Sequence, residues 1–219
     1  MLPTASNGPV AGPRLRATSY DSGMAELGER LGALCSTVVR EAEATAEGIL
    51  ERDWQDSELP SPSLAVGRLA WDAERACQRV LAIRHPVSDL RFLTTALKIV
   101  VDLQRMGETC ARIGKALARL PASRVLPASL SQLAGLCLGQ VQASIGAFLA
   151  IDPVQAGKVI ADRELVAASH QRAVTDLLSL MIEDEIHRPF AEGLLSIAKL
   201  LDSLGDHAAN ASELVISIR

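Results

Sequence analysis

Apolar residues recur along this chain with the period of a helix, not a strand. The last segment shows it best. Leu194, Ile197, Leu201, Leu204, Ala208, Ala211, Val215 and Ile218 are spaced alternately by three and four residues. That spacing lays a continuous seam along one helix face. The same period predicts helices over residues 24–52, 63–84, 88–119, 128–151, 153–184 and 189–217.

Ordinary punctuation separates them. Pro60 and Pro62 follow Asp56-Ser57-Glu58 and read as a loop. Pro86 ends a helix at His85, because proline pushes the residue before it out of the α region. Ser88 and Asp89 are then candidate caps for the next helix. Pro121 and Pro127 bracket a joint between two halves. Asp152 and Pro153 fit an N-cap and a first helical residue, and Pro189 opens the last helix.

The two halves resemble each other. Each runs long helix, turn, long helix, proline turn, long helix. The segment from Ile99 to Glu108 lies over that from Ile197 to Asp206, so that Gly107 matches Gly205 and a carboxylate follows each. A helical glycine costs about 0.8–1 kcal/mol relative to alanine, so its recurrence suggests close helix approach or a shared site. The repeat of about 98 residues exceeds the period of a solenoid and indicates a duplicated three-helix unit. The predicted fold is all-α: two tandem, pseudo-repeated three-helix bundles over 21–120 and 121–219, after a disordered Pro/Gly/Ala-rich leader at 1–20.

Composition agrees. Apolar residues make up 48% of the 219 residues and aromatics 3%, so the core must be aliphatic, which favours helix. The net charge of -4 comes without a basic run, which argues against nucleic acid. The leader has no signal-peptide core, and no uninterrupted apolar run approaches the roughly 20 residues of a membrane span. Cys35, Cys77, Cys110 and Cys137 sit singly within apolar helical patterns and read as small buried residues in a reducing compartment. A cytoplasmic location follows by elimination.

Specific motifs add a family. Ala82-Ile83-Arg84-His85-Pro86 followed by Asp89-Leu90-Arg91 resembles the PhoU signature, in which a helix ends at Arg-Gln-Pro and restarts at Asp-Leu-Arg. Asp102-Leu103-Gln104-Arg105-Met106-Gly107-Glu108 is similar to the family's Asp-Leu-Glu-Arg-Ile-Gly-Asp. Asp202-Ser203-Leu204-Gly205-Asp206-His207-Ala208-Ala209-Asn210 is similar to Glu-Arg-Ile-Gly-Asp-His-Ala-x-Asn. Leu180-Met181-Ile182-Glu183-Asp184 also fits. The resemblance spans residues 24–218 and implies tandem three-helix bundles. It implies a non-enzymatic negative regulator of phosphate uptake and phosphate-starvation signalling, linking a phosphate ABC transporter to a membrane sensor histidine kinase. Family members often dimerise, and exposed apolar residues on long helices would permit a homodimer here.

Some members carry metal on their acidic motifs. Here Asp202, Asp206 and Asn210 fall at i, i+4 and i+8 on one helix face, roughly opposite the apolar seam. Their oxygens suit a hard divalent or iron cation. In the first half the equivalent line is Gln104, Glu108 and Arg112, with Glu108 as its only carboxylate. A metal-storing or redox-active bundle is therefore the rival to the adaptor, and a regulator of a different transporter is a third reading. The bland reading of these residues is a solvated polar face, since two carboxylates at i, i+4 repel by only about 0.2–0.5 kcal/mol. Arg84, Asp89 and Arg91 are candidate partner contacts or, more simply, a cap with a flanking ion pair. His170 reads as a surface residue, and Asp184 to His187 as a lone acid-x-x-His element beside a helix junction. No phosphate-cradling loop and no nucleophile motif is present.

Overall fold

The computed structural model describes residues 13–50, 64–83, 86–121, 126–183 and 188–218. Among them are six helices and no strand: α1 (Pro13–Leu50), α2 (Leu64–Ala82), α3 (Val87–Leu117), α4 (Ala128–Ala150), α5 (Pro153–Glu183) and α6 (Arg188–Ile216). The expected boundaries hold to within a few residues except at the start. Residues 13–20, expected in a disordered leader, form the first turns of α1. Proline at a first helical position has its φ already set, and the Arg-Leu-Arg-Ala that follows is a run of good helix formers. The rest of that expected leader, residues 1–12, lies outside the described residues.

Each half is an up-down-up bundle. In the first, α1 packs on α2 and α3, and α2 on α3; the second repeats this with α4, α5 and α6. The halves join through α3 on α6 and α1 on α4, while α2 and α5 touch only their own units. Along α3 and α6, Asp102 meets His207 and Leu120 approaches Gly193, so the two helices run antiparallel. Four helices thus form a central layer, with α2 and α5 on its outside. The buried aliphatic residues of both halves belong to one continuous core.

The seam read from α6 holds for Leu194, Ile197, Leu201, Leu204, Ala208, Ala211 and Val215, which are all buried, but not for Ile218, which lies past the end of α6 and is only partly buried. The seam's width was underestimated. Ala191, Ala198, Gly205, Ala209 and Ser212 are buried as well, because α6 packs against three helices, α3, α4 and α5. The four cysteines are buried and free. Burial pushes their thiols up to about 11 for Cys77 and about 12 for Cys35, Cys110 and Cys137, so they stay protonated and inert.

Two expectations need correction. α4 is 23 residues long, carries no charged side chain, and is long and apolar enough to cross a bilayer by length and composition. Scattered Ser and Gln conceal this when only unbroken runs are sought. In the fold α4 lies among α1, α5 and α6, which is the ordinary setting of a core helix. Ser88 and Asp89 do not cap α3. The cap position is Pro86, without a side-chain bond, and both residues sit in the first turn. At the α4–α5 turn the reading holds: Asp152 Oδ1 accepts the backbone N–H of Val154 (2.9 Å) and Gln155 (3.2 Å). The tight reversal there puts Ile151 at φ 49°, a left-handed conformation uncommon for a β-branched residue.

The matched glycines occupy matched surroundings. A Cβ on Gly107 would lie 2.8 and 2.9 Å from the two methyls of Val66 and 3.2 Å from Glu41 Oε2. A Cβ on Gly205 would lie 3.2 Å from Val166 Cγ1 and 3.2 Å from Gln140 Oε1. Valine from the middle helix and Glu or Gln from the first helix recur in both units, which is the structural mark of the duplication. Gly107→Ala gains about 0.8–1 kcal/mol of helix propensity. It also overpacks a buried, rotamer-locked Val66, which costs about 1–3 kcal/mol. We expect a net loss of about 1 kcal/mol or more for Gly107→Ala and a change within about 1 kcal/mol for the looser Gly205→Ala, compared by urea denaturation.

Candidate functional site

The second-half acidic residues sit on the middle of α6. Asp206 and Asn210 lie on its solvent stripe as expected, but Asp202 turns into the seam with α5. It does not point away from its own bundle, because α5 covers that flank of the helix. From α5, Arg163 reaches both carboxylates. Its Nη2 donates to Asp202 Oδ1 at 2.7 Å and lies 2.6 Å from Asp206 Oδ1, and its Nε donates to Asp206 Oδ1 at 2.7 Å. The side chains of Arg163 and Asp202 are 21% and 26% exposed and that of Asp206 56%, so the cluster is a rim and not a core. Partial burial works against the charged guanidinium. The hydrogen bond to Asp206 and the charge of Asp202 outweigh it, so the Arg163 pKa stands above its ordinary value. His170, read as a surface residue, is half-buried, with Nδ1 3.8 Å from Asp202 Oδ2.

The first half differs. Glu108 is exposed and accepts a 2.7 Å hydrogen bond from Gln104 Nε2, one turn earlier on α3. Among the described residues, no three His, Cys, Asp or Glu side chains converge as a metal site would require.

A second polar contact lies between the halves. Asp102 is buried on α3, and its Oδ1 is 3.2 Å from His207 Nδ1 on α6. That distance fits a hydrogen bond between the imidazole and the carboxyl group. Both residues fall within the family motifs of the sequence, which do not pair them. Nothing in the spacing reveals the contact, since it joins helices about 100 residues apart. Arg163 was missed for the same reason.

At the proline turn, Asp89 serves the fold. It is half-buried and accepts hydrogen bonds from the Tyr20 hydroxyl and from Ser88 Oγ at 3.0 Å, tying the start of α1 to the start of α3. Arg91 is exposed on α3. Arg84 lies outside the described residues, as do Asp184 to His187.

The same PhoU domain model matches the chain twice, over residues 24–117 and 130–215. This chain belongs to the PhoU family. Relatives agree along its length. A Burkholderia protein named phosphate-specific transport system accessory protein PhoU homolog is 26% identical over 159 residues, covering 70% of this chain and 68% of its own. PhoU homolog 2 of Mycobacterium tuberculosis is 25% identical over 206 residues, covering 91% and 95%. The crystal structure of the phosphate transport system regulatory protein PhoU from Streptococcus pneumoniae superposes with a TM-score of 0.81 at 24% identity, over 91% of this chain and 96% of that one. PhoU membership explains why the helix triplet occurs twice, and why Gly107 and Gly205 share their setting.

Two outcomes test these contacts. The chain has a single tyrosine, so its absorbance titration is unambiguous. Burial, the hydrogen bond to Asp89 and the nearby Asp89 charge raise the Tyr20 phenol from 10.0 to about 12. Because the folded state holds this proton more tightly, the contribution is complete below the ordinary value and is lost as pH rises through about 12. The native midpoint should fall with the tie removed by Asp89→Asn. At the other contact, His207→Ala should lower unfolding stability by about 1–3 kcal/mol, because it strands a buried carboxylate. Adding Asp102→Ala to it should cost little more, a non-additivity readable in a double-mutant cycle.

Proposed function

We propose that this protein is an accessory regulator of phosphate transport that acts in the cytoplasm without catalysis. It would bind a phosphate ABC transporter and a sensor histidine kinase, and restrain uptake and starvation signalling when phosphate is plentiful. One observation carries this reading: the PhoU domain match extends through both halves, onto relatives named as phosphate-transport accessory proteins. The chemistry of the chain favours a binding role. Its four thiols are buried and protonated, and its paired carboxylates are engaged with Arg163. Regulation would then arise from helix faces that bind one state of a partner better than another.

The first-half motif supports a narrower second reading. Gln104 stands where the family has a carboxylate, which fits a PhoU-type regulator whose client is a different transporter. The two are separated by deleting the gene and by copurifying the tagged chain from its own cells. The leading reading expects phosphate-starvation genes to be expressed in rich phosphate, and the phosphate transporter to copurify. Intact repression together with a different transporter in the eluate would replace it with the second.

A further inference from the structure

We propose that Arg163 is the resident cation of the second-half acidic motif, so that the motif takes no metal ion and instead fastens α5 to α6. The donor set decides this. A divalent ion at this motif would need oxygens of Asp202 and Asp206 turned towards it. One oxygen of each carboxylate already accepts from Arg163, at 2.7 Å, and the second oxygen of Asp202 faces His170 at 3.8 Å. The guanidinium sits between the two carboxylates, where an ion bridging them would have to sit. Its planar fork meets Asp202 and Asp206 at once, a geometry that a lysine ammonium does not reproduce.

The comparison of the two halves within this one chain points the same way. Val66 and Val166 hold equivalent places against Gly107 and Gly205. Three residues before Val166 is Arg163; three residues before Val66 is Ser63, which lies outside the described residues. The arginine accompanies the half with two carboxylates. The serine accompanies the half in which one carboxylate has become Gln104 and the other, Glu108, is bonded to it. The two carboxylates of the second half are thus met by a cation, and the single carboxylate of the first by a neutral amide, each from the protein's own side chains. The clamp also has mechanical meaning, because α5 touches only α4 and α6. At this level Arg163 adds a polar fastening to the apolar contact of Val166 with Gly205.

The test is independent of the transporter reading, since it needs only the purified chain. Elemental analysis and calorimetric titration with Mn²⁺ and Zn²⁺ would be run on the wild type, R163Q, R163K, D206N, D202N/D206N and R163Q/D206N, with helical content checked for each. The wild type and R163K should show no saturable site that depends on Asp206. R163Q should gain one, at least about tenfold tighter than any wild-type binding, and R163Q/D206N should lose it. Metal bound to the wild type and lost in D206N or in D202N/D206N would overturn the proposal. So would an R163Q protein that is folded and still binds nothing. Binding that persists unchanged in D202N/D206N lies elsewhere and upholds it.

Discussion

The central constraint on this molecule is that α3 and α6 carry apolar arcs too wide for a three-helix bundle to cover. On α6 the buried surface extends past the heptad-like seam to Ala191 and Ala198. On α3 it takes in Ala96, Val100 and Gly114. Left as separate bundles, both helices would expose aliphatic surface to water, at about 25 cal/mol for each Å². Packing them antiparallel removes that surface and merges two cores into one. The Asp102–His207 contact and the outer position of α2 and α5 follow from that docking.

Most of the fold was legible because it rests on local signals. A period of 3.6, proline punctuation and the Asp152-Pro153 pair are all written over a few consecutive residues. The recurrence of a glycine–carboxylate step revealed the duplication, and the shared Val and Glu/Gln surroundings of Gly107 and Gly205 give it a cause. Errors arose where a residue's state depends on a neighbour far along the chain. Helical spacing alone puts Asp202 on the outer face, because it carries no information about α5, which covers that flank. His170 was assigned to the surface for want of Asp202. The extent of α1 was cut short because its first turns lack apolar periodicity, although they have proline and good helix formers.

The two halves have diverged in chemistry while keeping their geometry. The first half keeps a single carboxylate and satisfies it with an intrahelical amide. The second keeps two, and spans them with a guanidinium from another helix. Duplication permits this, because the backbone positions around each glycine are fixed by packing and the polar rim is not. The rim can change while the aliphatic core behind it stays constant. Partner specificity in a protein of this design is therefore free to differ between its two faces.

The charge-free α4 has a consequence for how the chain is made. It is synthesised after α1, α2 and α3 and before α5 and α6, yet its cover in the finished fold comes from α1, α5 and α6. For an interval only one of its three neighbours exists. During that time a 23-residue uncharged helix is presented to the cell with the length and polarity of a membrane segment. Only the contact with α1, where Gln142 donates to Glu43 at 2.9 Å, is available to cover one side of it before the rest of the chain arrives. The fold thereby sets a kinetic demand on its own assembly that its final stability does not reveal.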